Sequence, residues 1–394
     1  MNEQITTLAS LTIDGKGSYG IGASAVPFSK DLYTYLRITD IKDDGTLNLQ
    51  DLKSVDDVKA SEYLLKPNDI VFARTGASTG RNYFYDGTDG EFVYAGFLIK
   101  FSIDGKKVNP KYIKYFCQSK QYKDWINSFN TGSTRGNINA QTLGKMPIPL
   151  IERKTQDALV SIISSIDEKI KKNNAINNNL EQQAQAIFSN EFLTLETLPD
   201  GWKQASLIGI ADYLNGLAMQ KYRTNADETG IPVLKIKELR QGCCDDNSEL
   251  CSSNIKSEYI IHDGDVIFSW SGSLLVDFWC GGICGLNQHL FKVTSSKYDK
   301  WFYYAWTKHH LDRFIAVAAD KATTMGHIKR DELSKAEVLI PNEADYKRIG
   351  ALLQPIYDLI IANRIENKKL AETRDMLLPK LMSGEIAISE VDYE

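Results

Sequence analysis

The chain repeats itself, and no other feature restricts its fold as much. YLRITDIKDDG (35–45) returns as VLKIKELRQG (233–242), and KPNDIVFARTG (66–76) returns as HDGDVIFSWSG (262–272). GSTRGNINAQTLGKMPI (132–148) returns as ATTMGHIKRDELSKAEV (322–338). The offsets lie between 190 and 198 residues, and the order is the same in both halves. Segments kept in one order over 394 residues predict two copies of one architecture rather than a single large core. Each half reads as an extended strand, a strand with a following loop, a helical stretch, a Thr/Gly turn, a last strand and a long helix. DIVFAR and DVIFSW alternate β-branched and aromatic residues after Asn-Asp or Asp-Gly turns, which predicts strands. Residues 111–129 and 299–317 carry aromatics at helical spacing, the pattern of a core-facing helix.

The long helices repeat most closely. Positions 163, 166, 170, 173, 177, 180, 184 and 187 step by three and four, the seam of a coiled coil. They hold Ile163, Ile166, Ile170, Asn173, Asn177, Leu180, Ala184 and Ile187. At an offset of 190 stand Leu353, Ile356, Ile360, Asn363, Asn367, Leu370, Arg374 and Leu377. Between 166 and 180 the two segments share five identities, and all five fall on the seam. Asn is a mediocre helix former, so its place on the stripe asks for a reason. A polar seam residue lowers stability but fixes register, because a slipped pairing buries an unsatisfied amide. An antiparallel pair about a pseudo-twofold axis would set Asn173 against Asn367 and Asn177 against Asn363. The competing reading is solvated Asn in a frayed helix. Ile176 and Ile365 lie off the seam and are expected to be exposed on the helix pair.

Several chemistries are excluded by what the sequence lacks. An adenine methyltransferase needs an Asn/Asp-Pro-Pro-Tyr/Phe segment to hold a flipped base. None of the ten Pro is adjacent to another. A phosphate-cradling motor loop needs G-x-x-x-x-G-K-[ST], and GASTGRN (76–82) has neither the spacing nor the Lys. GKGSYG (15–20) satisfies G-x-G-x-x-G, but IGASAVPFS follows it where a helix would be required. Cys243, Cys251, Cys280 and Cys284 form CC and CxxxC spacings rather than paired CxxC, so reduced, partly buried thiols are expected instead of a metal centre. His309 and His310 are adjacent in a helical stretch and cannot both face one ion. No catalytic residue and no cofactor is assigned. No apolar run reaches the length of a membrane span. MNEQITTLASLTIDG lacks the basic and apolar regions of a secretory leader, so the expected address is the cytoplasm. The net charge of −5 does not suit a stand-alone nucleic-acid binder, so any DNA function needs a local basic surface or a partner that supplies phosphate contacts.

Two divergent lobes, each followed by a near-identical seam helix, resemble the specificity subunit of a Type I restriction–modification system. The carriers are the duplicated YLRITDI/VLKIKEL and DIVFARTG/DVIFSWSG segments, the GSTRGNIN/TTMGHIKR turns and the helix ending RDMLLPKLMSGEI (374–386). The resemblance implies an α/β (α+β) chain: two pseudo-repeated target recognition domains separated by two long antiparallel coiled-coil helices. The boundaries read as domain 1 over 1–155, a central spacer helix over 156–190, domain 2 over 191–345, a C-terminal spacer helix over 346–380 and a tail over 381–394. It further implies that each domain reads one half of a bipartite double-stranded DNA target while the helices set the spacer. The implied partners are two adenine-methylating methyltransferase subunits and the restriction/translocase subunits, with no chemistry in the chain itself. A stand-alone methyltransferase or nuclease with an atypical site, and a coiled-coil scaffold that never touches DNA, stay open.

Base-edge and phosphate contacts need Arg, Lys, Asn, Ser or Thr on loops that can enter a groove. After the DIVF strand these are Arg74, Thr75, Ser78, Thr79 and Arg81; after the DVIF strand they are Ser269, Trp270, Ser271 and Ser273. The Gly/Thr turns offer Thr131, Ser133, Thr134, Arg135 and Asn137, then Thr323, Thr324, His327 and Lys329. Lys16, Ser18 and Tyr19 form a third group, with Lys221, Tyr222 and Arg223 as a looser counterpart. Arg37 and Lys235 match within the repeated strands, where either a structural or a phosphate role fits. A helix over 156–188 would run about 50 Å, more than one DNA turn of about 34 Å. Four residues inserted into 170–180 should then shift the spacer and leave both half-sites unchanged.

Overall fold

The computed structural model describes residues 4–49, 51–129, 137–225, 228–245, 247–320, 328, 330–383 and 385–386. Two compact units divide the chain: residues 1–167 with 373–394, and residues 168–372. Helices and strands are mixed in each.

In the first unit, strand Leu98–Ser102 lies between Ser18–Tyr19 and Asp69–Ala73, and Asn82–Tyr85 completes a four-stranded sheet. All of its pairings are antiparallel. DIVFA is buried throughout, and the two-residue strand period sorts its side chains to opposite faces. Ile70 and Phe72 join the cluster of Phe101, Tyr112 and Phe116, whereas Val71 and Ala73 join Leu36, Tyr83 and Phe92. Asp69 opens this strand with its carboxylate buried, accepting from the Lys66 amide and the Ser102 hydroxyl and facing Lys100 at 3.3 Å. A second sheet runs Ala25–Pro27, Lys53–Val55, Tyr33–Leu36, Phe92–Tyr94, its last pair parallel. Gln4–Thr7 pairs with Pro147–Leu150.

The second unit repeats this plan. Strand Leu290–Thr294 lies between Asp212–Asn215 and Val266–Ser269, with Leu275–Phe278 outermost. Val266 and Phe268 face one core, and Ile267 faces another with Leu234 and Trp279. Ile231–Leu234 and Cys284–Leu286 form the matching parallel pair. Asp265 repeats Asp69, accepting from the His262 amide and facing Lys292 at 2.9 Å.

Each helical stretch is broken once. Ser119 accepts from the Tyr122 amide and so starts a new helix, dividing the first stretch into Pro110–Phe116 and Lys120–Asn127. The second divides at His310 into Lys300–His309 and Leu311–Asp320. Nε2 of His310 bonds the carbonyl of Glu337 at 2.8 Å, and burial pushes the ring pKa down to about 4 against that bond.

The long helices are Arg153–Phe188, followed by a π-turn at Ser189–Leu193, and Glu343–Ser383. Pro355 and Pro379 lie inside the second helix, where each removes a backbone donor. Their neighbours Leu353, Tyr357, Leu378 and Leu381 are buried, and this packing holds the helix through both prolines.

Candidate nucleic-acid interface

Within the second unit the Asn stripe is paired. Asn173, 2% exposed, donates from Nδ2 to Asn367 Oδ1 at 2.8 Å and to Glu366 Oε2 at 2.7 Å. Asn363 Nδ2 donates to Asn177 Oδ1 at 2.9 Å, and Asn367 Nδ2 to Asn174 Oδ1 at 2.9 Å. These cross-pairs require helices that run in opposite directions, and they leave buried amides with partners rather than water. The apolar positions of the stripe are buried to different degrees. Ile163, Ala184, Leu353 and Ile360 are buried, while Ile166, Ile170, Leu180, Ile187, Ile356, Leu370 and Leu377 are partly so. In the first unit Arg374 reaches Asp167 at 3.1 Å, beside Lys114 and the Tyr115 hydroxyl. Burial works against the Asp167 charge, but the two cations overcome it and hold the carboxyl below the usual range. Ile176 is exposed as expected. Ile365 is not: it packs on the second unit's core beside Ile361, because the sheet covers that side of the helix and Arg364 reaches across to Asp277 at 2.7 Å.

The loops after the two central strands differ in chemistry. Arg74 is half-buried, with its guanidinium carbon 5.3 Å from the Tyr19 ring and 5.7 Å from the Phe97 ring. Its Nε donates to the Gly96 carbonyl at 3.3 Å. Thr75 bridges to Asn137, and the Ile138 amide donates to the Arg74 carbonyl at 2.9 Å, which ties the Gly/Thr turn to this loop. Lys16, Tyr19 and Asn137 are exposed; Ser18, Ser78 and Thr79 are partly so. In the second unit Trp270 stacks on Phe291 with centroids 5.6 Å apart and donates from Nε1 to Asn215 Oδ1 at 3.0 Å. Lys221, Tyr222, Arg223 and Ser273 are exposed.

Three of the expected contact residues make bonds within the scaffold. Ser269 and Ser271 are buried, and the Ser269 hydroxyl is bonded to the Ser271 and Ser273 carbonyls, so both brace the turn from within. Arg81 spends its guanidinium on Asp43, with Nε at 2.7 Å and Nη2 at 3.2 Å, and on the Ile41 carbonyl. Arg37 is likewise tied to Asp40 at 2.6 Å, and Lys235 to Glu249 at 2.6 Å. Thr131, Ser133, Thr134, Arg135, Thr323, Thr324, His327 and Lys329 lie outside the described residues. Two glycines of GKGSYG serve packing: a Cβ at Gly17 would meet Phe101 at 2.6 Å, and one at Gly20 the Tyr94 carbonyl at 2.2 Å, whereas Gly15 holds a positive φ of 66° in open space. Four cysteines are buried and Cys243 and Cys244 partly so, all as free thiols. Burial raises Cys244, Cys251 and Cys280 to about 11, which keeps them protonated and unreactive. Among the described residues no His/Cys/Asp/Glu group is arranged to hold a metal ion. None of the described helices is long and apolar enough to cross a membrane.

Sequence reasoning missed Phe97, Asn215 and His289. Phe97 is 56% exposed at the turn before Leu98–Ser102, and the His289 ring lies 6.3 Å from Trp270. For Phe97 and His289 the signal was a further repeated segment, FLIKFS (97–102) against HLFKVT (289–294).

The chain matches a family model described as the Type I restriction modification DNA specificity domain twice, over residues 30–182 and 199–372. It is 25% identical over 309 residues to the MjaIX specificity subunit of a Type I restriction enzyme from Methanocaldococcus jannaschii, covering 72% of this chain and 71% of that one. It is 25% identical over 407 residues to the EcoKI specificity subunit of Escherichia coli, covering 92% and 84%. A crystal structure of a Type I restriction–modification S subunit from M. genitalium superposes with a TM-score of 0.55 at 15% identity, over 97% of this chain and 96% of the other.

Proposed function

From a chain that belongs to the Type I restriction modification DNA specificity family, we propose a subunit in which each repeat reads one half of a bipartite DNA sequence. The observation that carries this reading is one frame used twice with unlike residues at the same place, Arg74 in the first copy and Trp270 in the second. Two different half-sites need that combination. The DNA-facing groups are Lys16, Ser18, Tyr19, Arg74, Thr75, Ser78, Thr79 and Asn137 in the first copy. In the second they are Lys221, Arg223, Trp270 and Ser273. The paired helices set the spacer and dock two methyltransferase subunits, with Ile176 among the outward contacts. Methylation, and cleavage by restriction/translocase subunits, belong to those partners. The chain has no methyltransferase motif to do such chemistry, and its net charge of −5 fits a subunit that borrows phosphate attraction from an assembly. The expected address of that assembly is the cytoplasm.

The test is co-expression with the cognate methyltransferase subunit, followed by sequencing of modified adenines. A bipartite motif with a fixed unspecified spacer is the expected result. Purified chain alone, incubated with DNA, metal and S-adenosylmethionine, should neither cleave nor methylate. A continuous motif, or activity without partners, would refute the reading.

A further inference from the structure

Strand register makes two three-residue clusters equivalent. Ala73 stands opposite Leu98 and Ser269 opposite Leu290, so Arg74 and Trp270 leave their sheets at the same point. Phe97 and His289 precede those partner residues. Tyr19 pairs with Ile99 as Asn215 pairs with Phe291. The anchoring bonds repeat as well: Ile138 donates to the Arg74 carbonyl, and Ile328 to the Trp270 carbonyl.

The clusters differ in what they offer. In the first, the guanidinium lies between the Tyr19 and Phe97 rings, and its Nε is fixed on Gly96. Neither terminal nitrogen of Arg74 has a partner among the described residues, in contrast to Arg81, whose guanidinium is fully engaged. A clamped planar fork with two free N–H edges matches the paired N7 and O6 acceptors of guanine in the major groove. In the second cluster the Trp270 N–H is already used on Asn215, and the ring is stacked on Phe291. That position offers an apolar plate and no matching donor pair.

We propose that Tyr19, Arg74 and Phe97 form a guanine reader for one half-site, and that Asn215, Trp270 and His289, at the equivalent place, form a reader that does not select guanine. The assignment rests on the bipartite-recognition reading above. Arg74 makes the contact, while Tyr19 and Phe97 position it.

The experiment uses the full chain in complex with its methyltransferase subunits and duplexes carrying the sequenced motif. Each half-site guanine is replaced singly by 7-deazaguanine, which lacks the N7 acceptor, and binding is followed by anisotropy. One guanine in one half-site should lose binding by roughly 2- to 12-fold, about half the free energy of a bidentate base contact because the O6 acceptor remains. The Arg74→Gln complex should bind substituted and unsubstituted duplexes alike. Phe97→Ala should shrink the ratio, and Phe97→Tyr should keep it. If no single guanine is sensitive, or if sensitivity survives Arg74→Gln, the assignment fails while bipartite recognition stands. Equal weakening by Arg74→Gln on every duplex, with a shallower salt dependence, would make Arg74 a phosphate contact and also overturn it. A wild-type complex that prefers no bipartite sequence would defeat both.

Discussion

Replacing Asn173 with Ala tests whether the Asn stripe is a structural lock. The substitution removes the bond to Asn367 and leaves that residue's Oδ1 without its donor, a cost of about 1–3 kcal/mol, and it removes the bond to the Glu366 carboxylate. The Glu366 side chain is 45% exposed, so water replaces that bond and it adds little. Ala improves helix propensity over Asn by roughly 0.5 kcal/mol. The net expectation is a loss of about 1.5 kcal/mol from the second unit. Followed by far-UV circular dichroism in urea, that loss moves the midpoint of the affected transition by about 0.7 M for a slope near 2 kcal/mol/M. Asn178→Ala, at an exposed position on the same helix, should be neutral or slightly stabilising. A double-mutant cycle with Asn367→Ala should give a coupling of about 1 kcal/mol. If Asn173→Ala proved as neutral as Asn178→Ala, the amides would be solvated and the lock would not exist.

Other expectations follow from named contacts. Asp167→Asn should destabilise the first unit by about 3 kcal/mol, because Lys114 and Arg374 lose a shared, partly buried counter-ion; thermal melting checks it. His310 titrates near 4 when folded and near 6.5 when unfolded, so the unfolded chain takes up its proton first. Stability should therefore fall as pH drops from 6.5 towards 4, by up to about 1.4 kcal/mol per pH unit from this group, and His310→Gln should flatten that slope in melts across pH. Arg81→Ala should weaken the first unit's loop by about 1 kcal/mol without changing the methylated motif, whereas Arg74→Gln should change the motif with little loss of stability.

The parts of this fold that were legible in the sequence are those with a period. The three-four stripe, with Asn at matching places in both helices, carries the register that an antiparallel pair would adopt, while the antiparallel direction comes from the family resemblance. The repeated DIVFA and DVIFS segments declare themselves as strands through β-branched and aromatic residues that follow turns; their burial on both faces shows only in the fold. What stayed hidden depended on neighbours distant in sequence. Arg81 read as a free loop cation because its partner Asp43 lies 38 residues away. Ser269 and Ser271 have the composition of a DNA-facing turn, and only the inward bonds of the Ser269 hydroxyl reveal a brace. Ile365 sits on the outer face of a two-helix pair but on the inner face once a sheet packs there. Phe97 and His289 gained meaning only when strand register set them at the same place. Pro355 and Pro379 argue against a continuous helix by propensity, and the buried residues around them outweigh that preference.

The most direct test of the central claim is to lengthen both helices together. Four residues, one step of the stripe, are added within 170–180 and matched within 360–370, and the complex with its methyltransferase is used to methylate genomic DNA. Each insertion adds about 6 Å of helix, or one to two base pairs of DNA. Sequencing of modified adenines should return both half-sites unchanged around a spacer longer by that amount. Altered half-site bases around the original spacer would contradict the account.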